Sequence, residues 1–161
     1  MTGPDEAPVT AHATAPRYGL MAAVVAGVLA LDQATKSWAV RALADGPVHL
    51  IWTLDLDLAL NSGLAFSQGT GLTGLITVVG VLLVAGLVWW SRGVTSPLLA
   101  VGLALLIGGA CGNLTDRLVR GHDGAVIDFI DFHWWPVFNV ADMAVSFGAA
   151  LLVLSSLREP S

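Results

Sequence analysis

The amino-acid sequence predicts an all-α membrane protein with four transmembrane helices and a small β-sheet on the extracytoplasmic surface. Two observations lead to this prediction. Hydrophobic residues make up 55% of the 161 residues and charged residues only 12%, whereas a soluble domain carries roughly 25% charged residues. The charged residues are also clustered, which leaves long apolar stretches separated by polar loops, as expected of membrane spans.

Four apolar stretches define the predicted spans. They cover residues of about 18–40, 72–90, 98–117 and 138–157. Each is long enough to cross roughly 30 Å of hydrocarbon as a helix. The third reaches this length only if it continues past Cys111 through Asn113 to Arg117. We therefore expect its polar end to line a protected cavity instead of facing lipid.

The N-terminal residues are predicted to lie outside the fold. Residues 1–16 are rich in proline, alanine and threonine and have no apolar period, so we predict a disordered cytoplasmic tail. A cleavable signal peptide is not indicated, because the apolar stretch that follows is too long and contains Asp32 and Lys36. Residues 17–158 are predicted to form a single membrane domain.

Two long linkers join the spans. Residues 41–71 alternate apolar and polar side chains between His49 and Leu60, which predicts strands of a sheet on the membrane surface. Residues 118–137 contain Asp123-Gly124, a pair typical of tight turns. Both linkers join the same ends of the spans, so they are predicted to lie on the same side of the membrane.

The basic residues predict which side this is. Arg17, Arg92 and Arg158 flank the spans at the opposite side, which places both termini in the cytoplasm and both linkers outside it. Arg41, Arg117 and Arg120 lie on the linker side and weaken this prediction. Acidic residues surround the last two, however, which suggests that these arginines are held in a site.

The composition argues against several classes of function. No basic patch exists that would follow a phosphate backbone, so nucleic acid is not an expected partner. Cys111 is the only cysteine, and the four histidines are scattered without ligand spacing, so we predict neither a disulfide nor a metal site. Ser37 is adjacent to Lys36 and points to a different helix face, which disfavours a serine–lysine dyad.

Carboxylates inside predicted spans suggest function, because they are costly in a bilayer. Asp32 and Lys36 are four residues apart and are predicted to pair on one face of the first span. Asp116 is followed by Arg117, and the opposite charge is expected to keep this carboxylate ionised. Both acids are therefore predicted to support structure, not to carry protons.

A pair of carboxyls sharing one apolar site is the arrangement expected of an aspartic protease. Asp128, in an apolar stretch, and Asp142, near the start of the fourth span, are candidates for this pair. Asp116 is an alternative to Asp128, because Asn113-Leu-Thr-Asp116 repeats the pattern of Asn139-Val-Ala-Asp142. Asp123 and Asp131 are further alternatives, although each is more typical of a solvated loop acid.

Five motifs in this order on a four-span frame resemble the bacterial lipoprotein signal peptidases (signal peptidase II) over residues 18–157. The matching segments are residues 32–36 (DQATK), 61–66 (NSGLAF), 108–117 (GGACGNLTDR), 126–129 (VIDF) and 138–142 (FNVAD). The resemblance implies an enzyme that removes the signal peptide from prolipoproteins, cutting before a cysteine that carries diacylglycerol.

The resemblance also implies roles for individual residues. The catalytic dyad falls on Asp128 and Asp142. The remaining family positions fall on substrate-binding residues (Asn61, Asn113, Arg117 and Asn139) and on supporting residues (Asp32, Lys36, Asp116 and Gly63). The segment from Asp116 to Asp128 looks a few residues longer than in many members, with the extra residues around position 123, which leaves Asp123 as an alternative.

The implied setting is the bacterial inner (cytoplasmic) membrane, with both termini cytoplasmic and the active site near the extracytoplasmic surface. Lipidated prolipoproteins and membrane lipid are the implied partners, no cofactor is required, and a monomer is expected. Two other functions stay open from the residues alone. A proton-coupled transporter would place acids near mid-span, and a membrane scaffold would use its ion pairs only to hold helices together.

Overall fold

The computed structural model describes residues 15–63 and 70–158. Four helices dominate it: α1 (Tyr18–Ala42), α2 (Thr70–Trp90), α3 (Pro97–Val119) and α4 (Val140–Arg158). All four are long and apolar enough to cross a membrane, which confirms the predicted fold class. Each end lies within two residues of its predicted position. Most of the predicted tail, and residues 64–66 of the second motif, lie outside the described residues.

Helix α3 is the central helix of the bundle and packs against each of the other three. Ser96 caps its N-terminus by accepting a hydrogen bond from the backbone N–H of Leu99, and Pro97 occupies the first turn, where its missing N–H costs nothing. Leu103 and Ile107 form its apolar core with Met21 of α1. At this end of the bundle, apolar packing is accompanied by hydrogen bonds from Arg17 to the carbonyl oxygens of Val94 and Thr95.

Small residues let α3 and α4 approach closely. Gly148 of α4 faces Gly102 of α3, and a Cβ added at Gly148 would lie 2.8 Å from the Gly102 carbonyl oxygen and 3.0 Å from the Leu106 backbone nitrogen. Close approach of backbones at small residues is the usual basis of helix packing in membranes, where apolar side chains gain little by leaving lipid.

A three-stranded antiparallel sheet lies at the end of the bundle where α1 and α3 end. Strand β2 (Leu54–Asn61) is central, between β1 (Val48–Ile51) and β3 (Val126–Asp131). The first two strands fall in the linker that was predicted to form them. Strand β3 was not predicted, because its apolar and acidic residues do not alternate cleanly.

The sheet is attached to the bundle through Phe129 of β3. This side chain is buried against Ala39 and Leu43 at the end of α1. Its ring also meets Trp38 edge to face, with 6.4 Å between ring centroids. The turn before β3 forms at the predicted Asp123-Gly124 pair, where both residues have positive φ. These contacts bring β3 back onto the helix ends.

Gly148→Ala is expected to lower the free energy of unfolding by about 1–3 kcal/mol, because the new methyl group meets backbone atoms that cannot move aside. Thermal unfolding in detergent measures this loss. Gly86→Ala in α2 is the matched control, since a Cβ there meets nothing within 4 Å. Equal melting temperatures for the two variants would contradict the close packing of α3 on α4.

Candidate active site

A fully buried lysine organises the sheet end of the bundle. The Lys36 ammonium lies 3.0 Å from Asp32 Oδ2 and 2.7 Å from Asp116 Oδ2, and none of the three side chains has exposed surface. Its third proton is donated to Asn113 Oδ1 at 3.0 Å. An ammonium group has three donors, and all three are satisfied here. The predicted Asp32–Lys36 pair is confirmed and extends to α3.

Asp116 forms ion pairs with residues other than its sequence neighbour Arg117. Asp116 pairs with Lys36 and with Arg120, whose Nε lies 3.3 Å from Asp116 Oδ1. Arg117 instead donates from Nη1 to the carbonyl oxygen of Gly124 at 2.8 Å. Consecutive residues on a helix point in different directions, whereas residues four apart share a face. Asp116 is therefore held by Lys36 and Arg120, which fits the supporting role predicted for it.

The two structural carboxylates also hold the elements that carry the candidate dyad. Asp32 Oδ1 accepts a hydrogen bond from the backbone N–H of Ala141, at the start of α4, at 3.0 Å. Asp116 Oδ2 accepts one from the backbone N–H of Ile127, in β3, at 3.2 Å. Each donor N–H belongs to the residue just before a candidate aspartate, so the buried carboxylates help to position both aspartates.

Asn139 and Asp142 form a reciprocal cap at the start of α4. The Asn139 side-chain oxygen accepts from the Asp142 N–H at 3.0 Å, and Asp142 Oδ2 accepts from the Asn139 N–H at 3.2 Å. Asn139 thus precedes the helix instead of sharing a face with Asp142. The matching pattern on α3 behaves differently, because Asn113 contacts Lys36 and Asp142 while Asp116 faces Lys36.

Three asparagine amides surround the candidate carboxyls. Asp128 accepts from Asn139 Nδ2 at 2.6 Å and from Asn61 Nδ2 at 2.9 Å. Asp142 accepts from Asn113 Nδ2 at 2.8 Å. Asn139 contacts both carboxyl groups, through its side chain to Asp128 and through the cap to Asp142. The structure therefore brings together Asp128, Asp142 and the three predicted asparagines.

The environment of Asp128 favours its protonated form. Burial raises the pKa of this carboxyl to about 6. The amides of Asn61 and Asn139 oppose the increase by donating to the charged form, whereas the nearby charge of Asp142 adds to it. Asp128 therefore holds a proton at a pH where an exposed aspartate is ionised.

Gly63 and Arg117 complete the predicted set beside these residues. The Gly63 N–H donates to Asn61 Oδ1 at 2.8 Å, which orients the Asn61 amide toward Asp128. Gly63 has a φ of 85°, and a Cβ there would lie 2.6 Å from Ile76 Cδ1 and 3.2 Å from Arg117 Nη2. A residue with a side chain would disturb both neighbours, so glycine suits this position.

The alternative acids lie apart from this cluster. Asp123 is exposed in the turn before β3, with a φ of 49°. Asp131 is at the far end of β3, where its carboxylate bonds the backbone N–H of His133 at 2.6 Å. Among residues 15–63 and 70–158, no three histidine, cysteine or acidic side chains are placed to hold a metal ion.

Gln33 is a site residue to which sequence reasoning assigned no role. Its Nε2 lies 3.1 Å from Asp32 Oδ2 and 3.1 Å from Asp116 Oδ1, and its Oε1 accepts from Arg120 Nε at 3.0 Å. Gln33 thereby links Asp32, Asp116 and Arg120 through one side chain. The spacing of Asp116 and Arg120 would have revealed their pairing, but nothing in the sequence indicates that Gln33 bridges to α3.

An apolar groove of about 240 Å³ runs along α4 from the candidate dyad. Its lining consists of Asp142 and five further residues: Trp135, Phe138, Met143, Ser146 and Phe147. Asp142 is the only carboxylate among them. The groove therefore places the carboxylate of Asp142 beside a surface suited to hydrocarbon.

Comparisons with known proteins agree on one family. The family model described as signal peptidase (SPase) II matches residues 24–158. A lipoprotein signal peptidase of Mycobacterium avium (strain 104) is 47% identical over 146 residues, covering 88% of this chain and 80% of the relative. One from Mycolicibacterium smegmatis is 49% identical, covering 88% of this chain and 62% of the relative. A bacterial membrane enzyme solved by the in meso method at 2.3 Å resolution superposes with a TM-score of 0.77 at 25% identity, covering 88% of this chain and 90% of that one.

Lys36→Met is expected to cost about 3–5 kcal/mol of stability, because it leaves buried carboxylates without their countercharge. Thermal unfolding in detergent measures the cost. Adding Asp32→Asn should recover part of the loss, since Asp116 then remains balanced by Arg120. Arg41→Met, at an exposed position near the end of α1, is the control and should change stability by less than about 0.5 kcal/mol. A loss no larger than that of the control would show that the ammonium does not hold the bundle together.

Proposed function

The chain belongs to the signal peptidase II family, and from this premise we propose that it is an aspartic endopeptidase acting on prolipoproteins. We assign to it removal of the signal peptide immediately before the diacylglyceryl-modified cysteine. The observation that supports the assignment best is the meeting of Asp128 and Asp142 at one asparagine, Asn139, beside a buried ionic network.

The proposed chemistry needs one carboxyl that donates a proton and one that accepts a proton, and Asp128 and Asp142 lie in environments that suit these two roles. Asp128 is buried and its pKa is raised to about 6, which suits the role of proton donor. Asp142 lies in the first turn of α4, where the helix dipole favours a negative charge. It also accepts a hydrogen bond from Asn113 Nδ2 at 2.8 Å, which orients its carboxylate.

In the proposed reaction, Asp142 takes a proton from a water molecule as the water oxygen attacks the scissile carbonyl carbon. Protonated Asp128 hydrogen-bonds the carbonyl oxygen and stabilises the developing negative charge. When the carbon–nitrogen bond breaks, a proton passes to the leaving amine, which becomes the new N-terminus on the lipidated cysteine. The dyad ends with one shared proton, as it began.

The amide orientations around the dyad follow from Lys36. An ammonium group can only donate, so Asn113 must present its oxygen to Lys36 and its NH₂ group to Asp142. The backbone N–H of Asp142 donates to the side-chain oxygen of Asn139. The NH₂ group of Asn139 therefore faces Asp128. Both carboxyls therefore face amide donors in defined positions, so little reorganisation is needed during reaction.

The groove along α4 is assigned to the apolar part of the lipidated substrate. It begins at Asp142, and the lipid lies next to the scissile bond in the proposed substrate. Phe138, Met143 and Phe147 supply apolar contacts there. Arg117, which lies beside Gly63 and donates to the Gly124 carbonyl oxygen, is assigned to substrate binding with the three asparagines.

We place the enzyme in the bacterial inner membrane with both termini in the cytoplasm. Arg17, Arg92 and Arg158 lie at the bundle end opposite the site, where the positive-inside rule predicts the cytoplasm. The dyad then lies near the extracytoplasmic surface. A monomer suffices for the proposed activity, since one chain supplies both carboxyls and the asparagines that bind them.

Asp128→Asn and Asp142→Asn are each expected to lower kcat by on the order of 10²- to 10⁴-fold, because each removes one proton-transfer group. The measurement is cleavage of a diacylglyceryl-modified prolipoprotein by purified protein in detergent. Asp123→Asn is the matched control and should retain activity, since that residue lies in an exposed turn.

The outcomes separate the function from the site assignment. If Asp123→Asn is inactive while Asp128→Asn cuts, the protease function stands and the proposed dyad is wrong. If the folded wild-type protein cuts no lipidated substrate, the proposed function itself fails. Melting temperatures of all variants must match that of wild type for the comparison to apply.

The pH dependence of kcat/KM is expected to show a decrease as pH rises through about 6, because Asp128 then loses its proton. Asn61→Ala removes a donor to the charged carboxylate, so it should move this decrease to higher pH. Ser62→Ala, at the neighbouring position, is the control and should leave the midpoint unchanged. A midpoint at the same pH in the Asn61 variant would contradict the role of Asp128 as proton donor.

A further inference from the structure

The hairpin between β1 and β2 exposes large apolar side chains at the edge of the sheet. Every residue of β1 is exposed, so this strand buries neither face. Ile51 is 70% exposed, and Trp52, at the turn, is 83% exposed. A cluster of exposed apolar residues on a folded protein usually marks a surface that another molecule covers.

The turn holds Trp52 in an unusual conformation. Its φ is 55°, in the left-handed region that bulky residues rarely adopt. Glycine or asparagine would occupy this position at lower cost, so the turn sequence does not account for a tryptophan there. Retained backbone strain of this kind commonly marks a functional position.

Two further tryptophans extend the exposed surface. Trp134 Nε1 donates to Thr53 Oγ1 in the hairpin at 3.3 Å, and its ring lies 6.4 Å from that of Trp135. Both side chains are exposed. We define the hairpin patch as five residues that share large apolar surface and exposure: Leu50, Ile51, Trp52, Trp134 and Trp135.

The sheet lies level with the end of a membrane span. Phe129 of β3 packs against Trp38, which is about one turn from the end of α1. The sheet therefore sits beside the last turn of a helix that crosses the membrane, instead of standing away from the bundle. Tryptophan is enriched at this depth in membrane proteins, because its ring is apolar and its N–H is polar.

The charges near the patch indicate which membrane chemistry suits it. Four acidic residues lie in or beside the strands of the sheet (Asp45, Asp55, Asp57 and Asp131), against one exposed arginine, Arg41, at the end of α1. The carboxylate of Asp55 is bonded by His49 and His133, whose hydrogen bonds lower its pKa. This surface would repel anionic headgroups, so contact must come from apolar burial.

We propose that the hairpin patch inserts into the interfacial layer of the bilayer at the sheet end of the bundle, as an anchor additional to the four spans. The partner is lipid of neutral headgroup, met at the boundary between headgroups and acyl chains. Strands β2 and β3 run from this anchor to Asn61 and Asp128. Insofar as the proposed function holds, the anchor also sets the depth of the dyad.

The test is depth-dependent quenching of tryptophan fluorescence in the full-length protein reconstituted into phosphatidylcholine vesicles. The difference in fluorescence emission between the wild-type protein and Trp52→Phe is the emission of Trp52. We expect this emission to be quenched by phospholipids brominated on the acyl chain and to be protected from aqueous iodide. Trp89→Phe is the control, since Trp89 is exposed at the end of a span and its emission must be quenched by brominated lipid if the assay works.

Three outcomes would overturn the proposal. Quenching of Trp52 by iodide alone would place the hairpin in water. Protection from both quenchers would show that protein covers it, as a second copy of the chain would. Quenching by brominated lipid only when anionic lipid is added would show that headgroup charge, not apolar burial, holds it.

An activity measurement links the anchor to catalysis. Trp52→Asn keeps a residue that tolerates the left-handed turn and removes the indole. We expect a severalfold loss of kcat/KM on lipidated substrate in vesicles and little change in detergent, where no bilayer fixes the depth. Equal losses in both media would mean that the substitution damages the sheet. Since the fluorescence test needs no substrate, failure of the proposed function would leave the anchor testable.

Discussion

The ammonium group of Lys36 is buried where α1, α3, α4 and β3 meet, and the arrangement of the sheet end depends on it. A buried cation is stable only when paired and fully hydrogen-bonded. Asp32 and Asp116 supply the pairing, and the remaining capacity of those carboxylates is used by the backbone N–H groups of Ala141 and Ile127. The contacts that stabilise this one charge therefore hold together α1, α3, β3 and the start of α4.

The same network connects stability with the proposed chemistry. Lys36 and Arg120 balance the two structural carboxylates, so the charges of the dyad are not needed to neutralise the interior. Asn113 accepts a hydrogen bond from Lys36 and donates one to Asp142. Asn139, which caps α4, donates a hydrogen bond to Asp128. A polar network in which every member is satisfied holds its groups in defined orientations, as a preorganised site requires.

The membrane explains why the polar groups lie at one end of the bundle. Through the apolar part, α3 and α4 meet at glycines and are held by close packing, which places no charge near lipid. At the sheet end, β3 returns along the helix ends and encloses the carboxylates. Under the proposed function, a substrate bond held at this depth can reach Asp128 and Asp142, and the apolar groove beside Asp142 can hold hydrocarbon.

The sequence alone determined the spans, the two strands of the first linker, the Asp32–Lys36 pair and, through five motifs, the family. These features depend on short-range patterns, which are apolar run length, alternation and helical spacing. The residues by themselves left four acids as competing partners for Asp142: Asp116, Asp123, Asp128 and Asp131. The sequence also did not reveal strand β3, the bridging role of Gln33 or the pairing of Asp116 with Lys36. These were decided by tertiary structure, because burial, hydrogen-bond partners and pKa depend on residues from distant segments that meet only after the helices pack and the second linker folds back over their ends.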